Sequence, residues 1–333
     1  MRLALAFLAF ALAACGSIGN PAGPDGDSPP PGNPPDPAPP GPLPSLGGCQ
    51  IFPADNAWNR DVTADPVHPG SAALLAEMAP DNSIHLDLGT TEEYYGIPYT
   101  IVPADQPLVP ITFGTGGYDY SEESDPGPMP IPLDAHIEGG STDDPDPPFG
   151  DRHVLVLRQG DCRLFELFNT VRTESGFQVS SSATWDLTTN DTRPAGWTSA
   201  DAAGLPILPG LLKYEEVAED RLHHALRFTV PRVRRAYTAP ASHCGQDDNA
   251  ALPPYGTRVR LRQNFPLDDY SGDALVILTA MKRYGLILAD QGSAWYVTGT
   301  ANPAWEDALD QLRDMRVRGS DFEVLASGPV TVC

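Results

Sequence analysis

Two apolar runs, His153-Val-Leu-Val-Leu157 and Leu164-Phe-Glu-Leu-Phe168, are separated by only six residues, Arg158 to Arg163, with Gly160-Asp161 at the centre. Glycine first in a two-residue loop fits a tight β-hairpin. That register sets Gln159 opposite Cys162 and Leu155 opposite Glu166. Side chains alternate along a strand, so His153, Leu155, Leu157, Leu164, Glu166 and Phe168 share one face. The opposite face is equally apolar, which places the pair inside a sandwich and not at its edge. Further strands are expected at 84–88, 99–102, 109–113, 225–230, 257–262, 286–289 and 294–298. A helix is expected over 273–284 with Gly285 as its stop, and a second from Asn302-Pro303 to near Arg316. Thr198-Ser-Ala-Asp201 has the spacing of a capping box, predicting a short helical turn that ends at Gly204. The fold class is therefore β-rich α+β: an antiparallel β-sandwich or jelly-roll-like domain with a few helices, two of them in the C-terminal third. No internal repeat suggests a propeller or solenoid.

The N-terminus has a different character. Arg2 is followed by an unbroken apolar run from Leu3 to Ala14, too short to span a bilayer and ending in small residues, as in an export signal. Leu12-Ala13-Ala14-Cys15 resembles the lipobox of bacterial lipoproteins, which implies cleavage before Cys15 and lipidation of that residue. Residues 16–48 hold 12 Pro and 8 Gly in 33 positions, a composition that does not fold and reads as an extended tether. The organisation expected is a signal peptide (1–14), a lipidated cysteine and tether (15–48), and one globular domain (49–333). Its place is the bacterial cell envelope, at the outer membrane or cell surface, and its membrane contact is the lipid alone. Cys49, Cys162, Cys244 and Cys333 form an even set in an exported chain, so two disulfides are expected. Three pairings are open; Cys49–Cys162 with Cys244–Cys333 is the one preferred.

The formal charge of −23 disfavours nucleic acid and anionic head groups as partners. Between Tyr118 and Gly150 carboxylates alternate with prolines, a loop that is either solvated surface or, at most, a calcium site. No other cofactor is expected. The elbow of serine hydrolases, the zincin motif, the P-loop and the dinucleotide fingerprint are absent from the sequence.

Candidate chemistry rests on scattered groups. His153 is a base if Asp151 or Glu166 orients it. Glu138 lies before Gly139-Gly140, where a ligand can approach the backbone. Glu166, if buried, has the raised pKa of a general acid. Trp185, Trp197, Trp295 and Tyr296, beside glycines and carboxylates, have the composition of a sugar platform, with Arg227 and His224 as further substrate contacts. These point to a polysaccharide-acting enzyme. As a hydrolase, Glu138 and Glu166 share acid and base roles. As a lyase, His153 or Tyr296 takes the proton and Arg227 neutralises a substrate carboxylate. Hydrolysis is favoured because the surface is acidic. The other reading is a non-catalytic envelope lipoprotein that binds a glycan or protein.

Several stretches, among them Gly150-Asp-Arg-His153, Gly196-Trp-Thr-Ser-Ala-Asp-Ala-Ala-Gly-Leu-Pro206, and Lys282-Arg-Tyr-Gly285 with Ala289-Asp-Gln-Gly-Ser293, resemble ones in a group of uncharacterised exported bacterial and fungal proteins. The resemblance implies secretion and a shared fold over most of 49–333. It implies no reaction and no functional residue.

Overall fold

The computed structural model describes residues 42–89, 95–139, 150–307 and 316–333. The export signal, Cys15 and most of the tether lie outside the described residues. The fold begins earlier than expected: Ser45–Leu46 pairs with Cys49–Gln50, and Ile51 N–H donates to Pro44 O, so the last residues assigned to the tether belong to the domain.

The architecture is a β-rich α+β fold built on two main sheets. One has four strands in the order Ser181–Asp186, Arg163–Phe168, Val154–Arg158, Tyr99–Val102. The other has six, in the order Phe322–Val324, Arg258–Leu261, Leu286–Gln291, Leu226–Val230, Tyr296–Ala301, His85–Gly89. The strand pairing is mixed rather than antiparallel throughout. Tyr99–Val102 runs parallel to Val154–Arg158, Leu226–Val230 to Leu286–Gln291, and Tyr296–Ala301 to His85–Gly89. Parallel pairs need long connections, and the loops of this chain supply them.

The central hairpin has the expected register, Leu155 opposite Glu166. Pairing stops at Arg158 and Arg163, one residue short of Gln159 and Cys162. Cys162 turns out of the ladder at φ +51° to bond Cys49 and to accept from Leu187 N–H. One face of the four-stranded sheet joins the main core through Leu155, Leu157, Leu164, Ala183 and Trp185. The other face, with Val154, Val156, Phe165 and Leu167, packs on Met129, Ile131, Ala135 and Ile137. The proline-rich stretch after Tyr118 is therefore no solvated loop over 129–137. It is the cover of a second core, and its burial removes that apolar face from water.

The long helix spans Gly272–Arg283, with Gly285 at φ +72° as its stop and Ile277, Leu278 and Met281 fully buried. Asn302 caps the next element through its Oδ1 and Ala304 N–H, but the described part is a 3₁₀ turn, Pro303–Asp307, and residues 308–315 lie outside the described residues. The turn expected at Thr198 is not helical. Both disulfides take the preferred pairing, Cys49–Cys162 and Cys244–Cys333.

Close packing shows at Gly319, where a Cβ would meet Trp295 Cε2 at 2.3 Å. The Trp295 indole is fully buried between Phe228 and Phe322 and donates to Met78 O, so it has nowhere to retreat. Gly319→Ala is expected to lower unfolding stability by about 1–3 kcal/mol in urea titration, the usual cost of overpacking. An unchanged midpoint would mean that the indole can shift after all.

Candidate active site

Register on the six-stranded sheet gathers polar side chains on one face. Tyr296 pairs with His85 and Thr298 with Asp87, while Val297 pairs with Phe228, so Tyr296, Thr298 and Asp87 lie on the side of Arg227. Asp290 reaches that side only through a β-bulge. Phe228 pairs with Leu288 but Thr229 pairs with Asp290, leaving Ala289 as the extra residue. In uninterrupted register Asp290 would sit opposite Val230, whose side chain is in the core. The bulge re-aims one carboxylate from the apolar face to the polar one.

Arg227 is the centre of this face. It donates to Asp201 Oδ1 at 2.5 Å and to Thr298 Oγ1 at 2.7 Å, and Asp290 Oδ2 lies 3.9 Å away. Asp201 arrives from the turn expected to be helical. Ser199 Oγ accepts from Asp201 N–H and Thr198 Oγ1 bonds Asp201 O, so hydroxyls close the turn and free the carboxylate for Arg227. Asp201 is thus an ion-pair residue and not a helix cap.

His153 stands one residue before the strand Val154–Arg158 of the four-stranded sheet and not, as expected, within it. Its Nδ1 lies 2.5 Å from Glu138 Oε2 and its Nε2 3.0 Å from Ala200 O. A carboxylate and a carbonyl both only accept, so both ring nitrogens carry protons and the ring is an imidazolium. The backbone locks the pair: Glu138 N–H donates to His153 O, and His153 N–H donates to Glu138 Oε2. Burial alone would depress the His153 pKa, but the Glu138 carboxylate overrides it and raises it to about 9. Glu138 moves the other way, lowered by the same contact against the effect of its burial.

The two aspartates beside Arg227 are shifted upward. Burial raises Asp201 to about 7 against the pull of Arg227, with Asp290 adding to the rise. Asp290 is raised by burial, opposed by Arg227 and reinforced by Asp151. Its side chain remains 28% exposed. Asp151, exposed, and Asp290 both line a cavity of about 330 Å³ whose wall also holds His153, Asp201, Phe168 and Tyr255.

No family model, curated protein or solved structure matches the chain.

The structure joins Glu138, His153, Asp151 and Arg227 in one region but leaves Glu166 out. Glu166 is fully buried, accepting from Ile207 N–H, Leu208 N–H and Trp185 Nε1. Its pKa is raised by burial, as expected, yet it lines none of the cavity. His153 has no free nitrogen with which to take a proton, and Arg227 is committed to Asp201. His224 is buried among Glu216 and Lys213, away from the cavity lining. There Lys213 and His224 override the effect of burial and lower Glu216 to about 2.

The tryptophans also serve structure. Trp295 is core, Trp185 holds Glu166, and Trp197 lies beneath the Arg193 guanidinium. Tyr296 stacks on His85 at 4.1 Å between centroids. The cavity's rings are Tyr120, Phe168 and Tyr255 instead.

His243 was not singled out from the sequence, because it stands in an aperiodic loop. Its one signal is Cys244 beside it, which pins that loop to Cys333. Its Nδ1–H donates to Ala202 O, and its Nε2 lies 3.7 Å from Glu123 Oε2 in the cavity wall. Among the described residues, no group of His, Cys, Asp and Glu is arranged to hold a metal ion.

Proposed function

We propose that this protein is an exported, lipid-anchored hydrolase of a glycan, with Asp290 as general acid and Asp151 as the second carboxylate. The observation that carries the reading is Asp290: a reachable carboxyl with a raised pKa, in a cavity that a second, more exposed carboxylate shares. A carboxyl with a raised pKa that shares a cavity with a second carboxylate suits acid and base roles at glycosidic bonds. Tyr120 and Phe168, both half-buried, give the cavity an aromatic lining for a sugar ring. Arg227, ion-paired to the buried Asp201, lies 3.9 Å from the Asp290 carboxylate and sets its charge environment. The lyase version loses support because His153 and Arg227 are both engaged within the protein.

Export and anchoring rest on residues 2–15. Two disulfides support an oxidising compartment. A tether would hold the cavity away from the membrane, where an insoluble polymer is reached more easily.

The test is a reducing-end assay of the full-length chain against a broad glycan panel. Asp290→Asn is expected to lower turnover on a cleaved glycan about a hundredfold or more, the usual weight of a general acid. Asp151→Asn is expected to act in the same assay, and the anomer first released tells whether Asp151 is nucleophile or base. Retention on a glycan without any product would favour the non-catalytic binding lipoprotein. Unsaturated products would restore the lyase.

A further inference from the structure

We propose that a second cavity of this protein binds a small organic carboxylate with an apolar body, its charged end met by Arg234 and His68. The cavity, about 330 Å³, shares no lining residue with the one that holds Asp151 and Asp290, so the proposal is independent of the glycan reading. A volume of that size is at the lower end for small-ligand sites.

The charge comes from Arg234. The neighbouring arginines are matched, Arg232 by Asp247 and Arg235 by Asp248. The Arg234 side chain, half-buried, makes no hydrogen bond or ion pair with a described residue. Among the described residues that line the cavity, none is aspartate, glutamate or lysine. Acidic residues outnumber Lys and Arg in this chain by 44 to 21, so an unmatched guanidinium in a cavity lined without carboxylates runs against the composition. His68 adds a second donor. Gly70 N–H donates to His68 Nδ1 at 2.9 Å, which fixes the ring proton on Nε2, and that N–H has no partner among the described residues.

Backbone pairing holds both residues in place: Arg234 N–H donates to Pro253 O, and His68 N–H donates to Val324 O. Leu74, Leu252, Val324 and Val330 line the same cavity and give it an aliphatic character. Val330 is 42% exposed on a strand paired with Ala236–Thr238, an apolar surface that a bound ligand would take out of water. A guanidinium presents paired N–H groups that match the shape and the single charge of a carboxylate. A phosphate dianion would keep a surplus negative charge inside an already acidic protein.

The experiment is calorimetric titration of the full-length chain with hexanoate, hexanol, acetate and inorganic phosphate. Hexanoate is expected to bind about tenfold or more tighter than hexanol, as charge-assisted hydrogen bonds provide. It is expected to exceed acetate by a similar factor, through burial of its added methylenes. Arg234→Met should abolish the preference for hexanoate over hexanol and leave the urea midpoint unchanged, because the guanidinium has no partner in the fold to lose. Arg234→Lys should restore part of the preference. Undiminished hexanoate binding by Arg234→Met, or no binding of hexanoate by the wild type, would overturn the proposal. Phosphate binding tighter than hexanoate would overturn the carboxylate assignment. A lowered midpoint for Arg234→Met would overturn the premise that the guanidinium is unmatched.

Discussion

Replacing Glu166 by alanine is expected to destabilise the fold by about 3–5 kcal/mol, without removing any group that lines the cavity. The Glu166 carboxylate is the acceptor for three donors that nothing else meets: the amides of Ile207 and Leu208 and the Trp185 indole. Each buried donor left without a partner costs about 1–3 kcal/mol, and truncation of a packed side chain adds a cavity. Glu166→Gln keeps one acceptor oxygen and fills the space, so its loss should be smaller. Urea unfolding of both variants measures this. The fraction that stays folded should retain wild-type kcat, which separates an internal buttress from a catalytic acid. A loss under about 1 kcal/mol for the alanine variant would mean that water reaches those donors.

Raising the pH from 6.5 to 9 is expected to weaken the folded state by up to about 3 kcal/mol. The group responsible is His153, which has an ordinary pKa of 6.5 when unfolded and is raised to about 9 in the fold. A folded-state pKa above the unfolded one means that the native state holds its proton more tightly. The stabilisation is complete below pH 6.5 and is lost as the pH climbs through 9. Asp201, raised from 3.8 to about 7, acts with the same sign at lower pH, and its contribution fades between those values. Glu216 has the opposite sign: lowered from 4.5 to about 2, it stabilises above 4.5 and stops doing so as the pH falls through 2. Urea midpoints at pH 6, 7.5 and 9 should therefore decline in that order. Glu138→Gln should be less stable at pH 6 and show a flatter decline, because the charge that holds the His153 proton is gone. A wild-type profile flat over the same range would contradict the imidazolium.

What was legible in the sequence was local. The register of the hairpin followed from alternation and a glycine, the long helix from a proline-free stretch closed by Gly285, and the strand positions from β-branched runs. The site was only half legible. His153, Glu138, Asp151 and Arg227 do gather, but the reason Asp290 joins them is a one-residue bulge at Ala289. Nothing in the string Leu286-Ile-Leu-Ala-Asp290 announces that bulge, because it depends on pairing with a strand some sixty residues earlier. Tryptophans beside polar residues looked like a sugar platform. Their indole nitrogens instead find acceptors inside the fold, Glu166 for Trp185 and Met78 O for Trp295. The stretch from Met129 to Ile137 read as loop because prolines prevent regular structure, although irregular backbone buries apolar side chains just as well.

The disulfides also decide how the domain bears a mechanical load. Cys49 and Cys162 are 113 positions apart in sequence, and the bond between them is a covalent shortcut. A pull arriving along the chain from its N-terminal side passes from Cys49 straight to Cys162. The intervening chain, which carries Glu138, Asp151 and His153, is bypassed and is not drawn out. Cys244–Cys333 does the same for the stretch that carries Asp290. Tension that would unravel a reduced chain from its end leaves these carboxylates inside two closed loops.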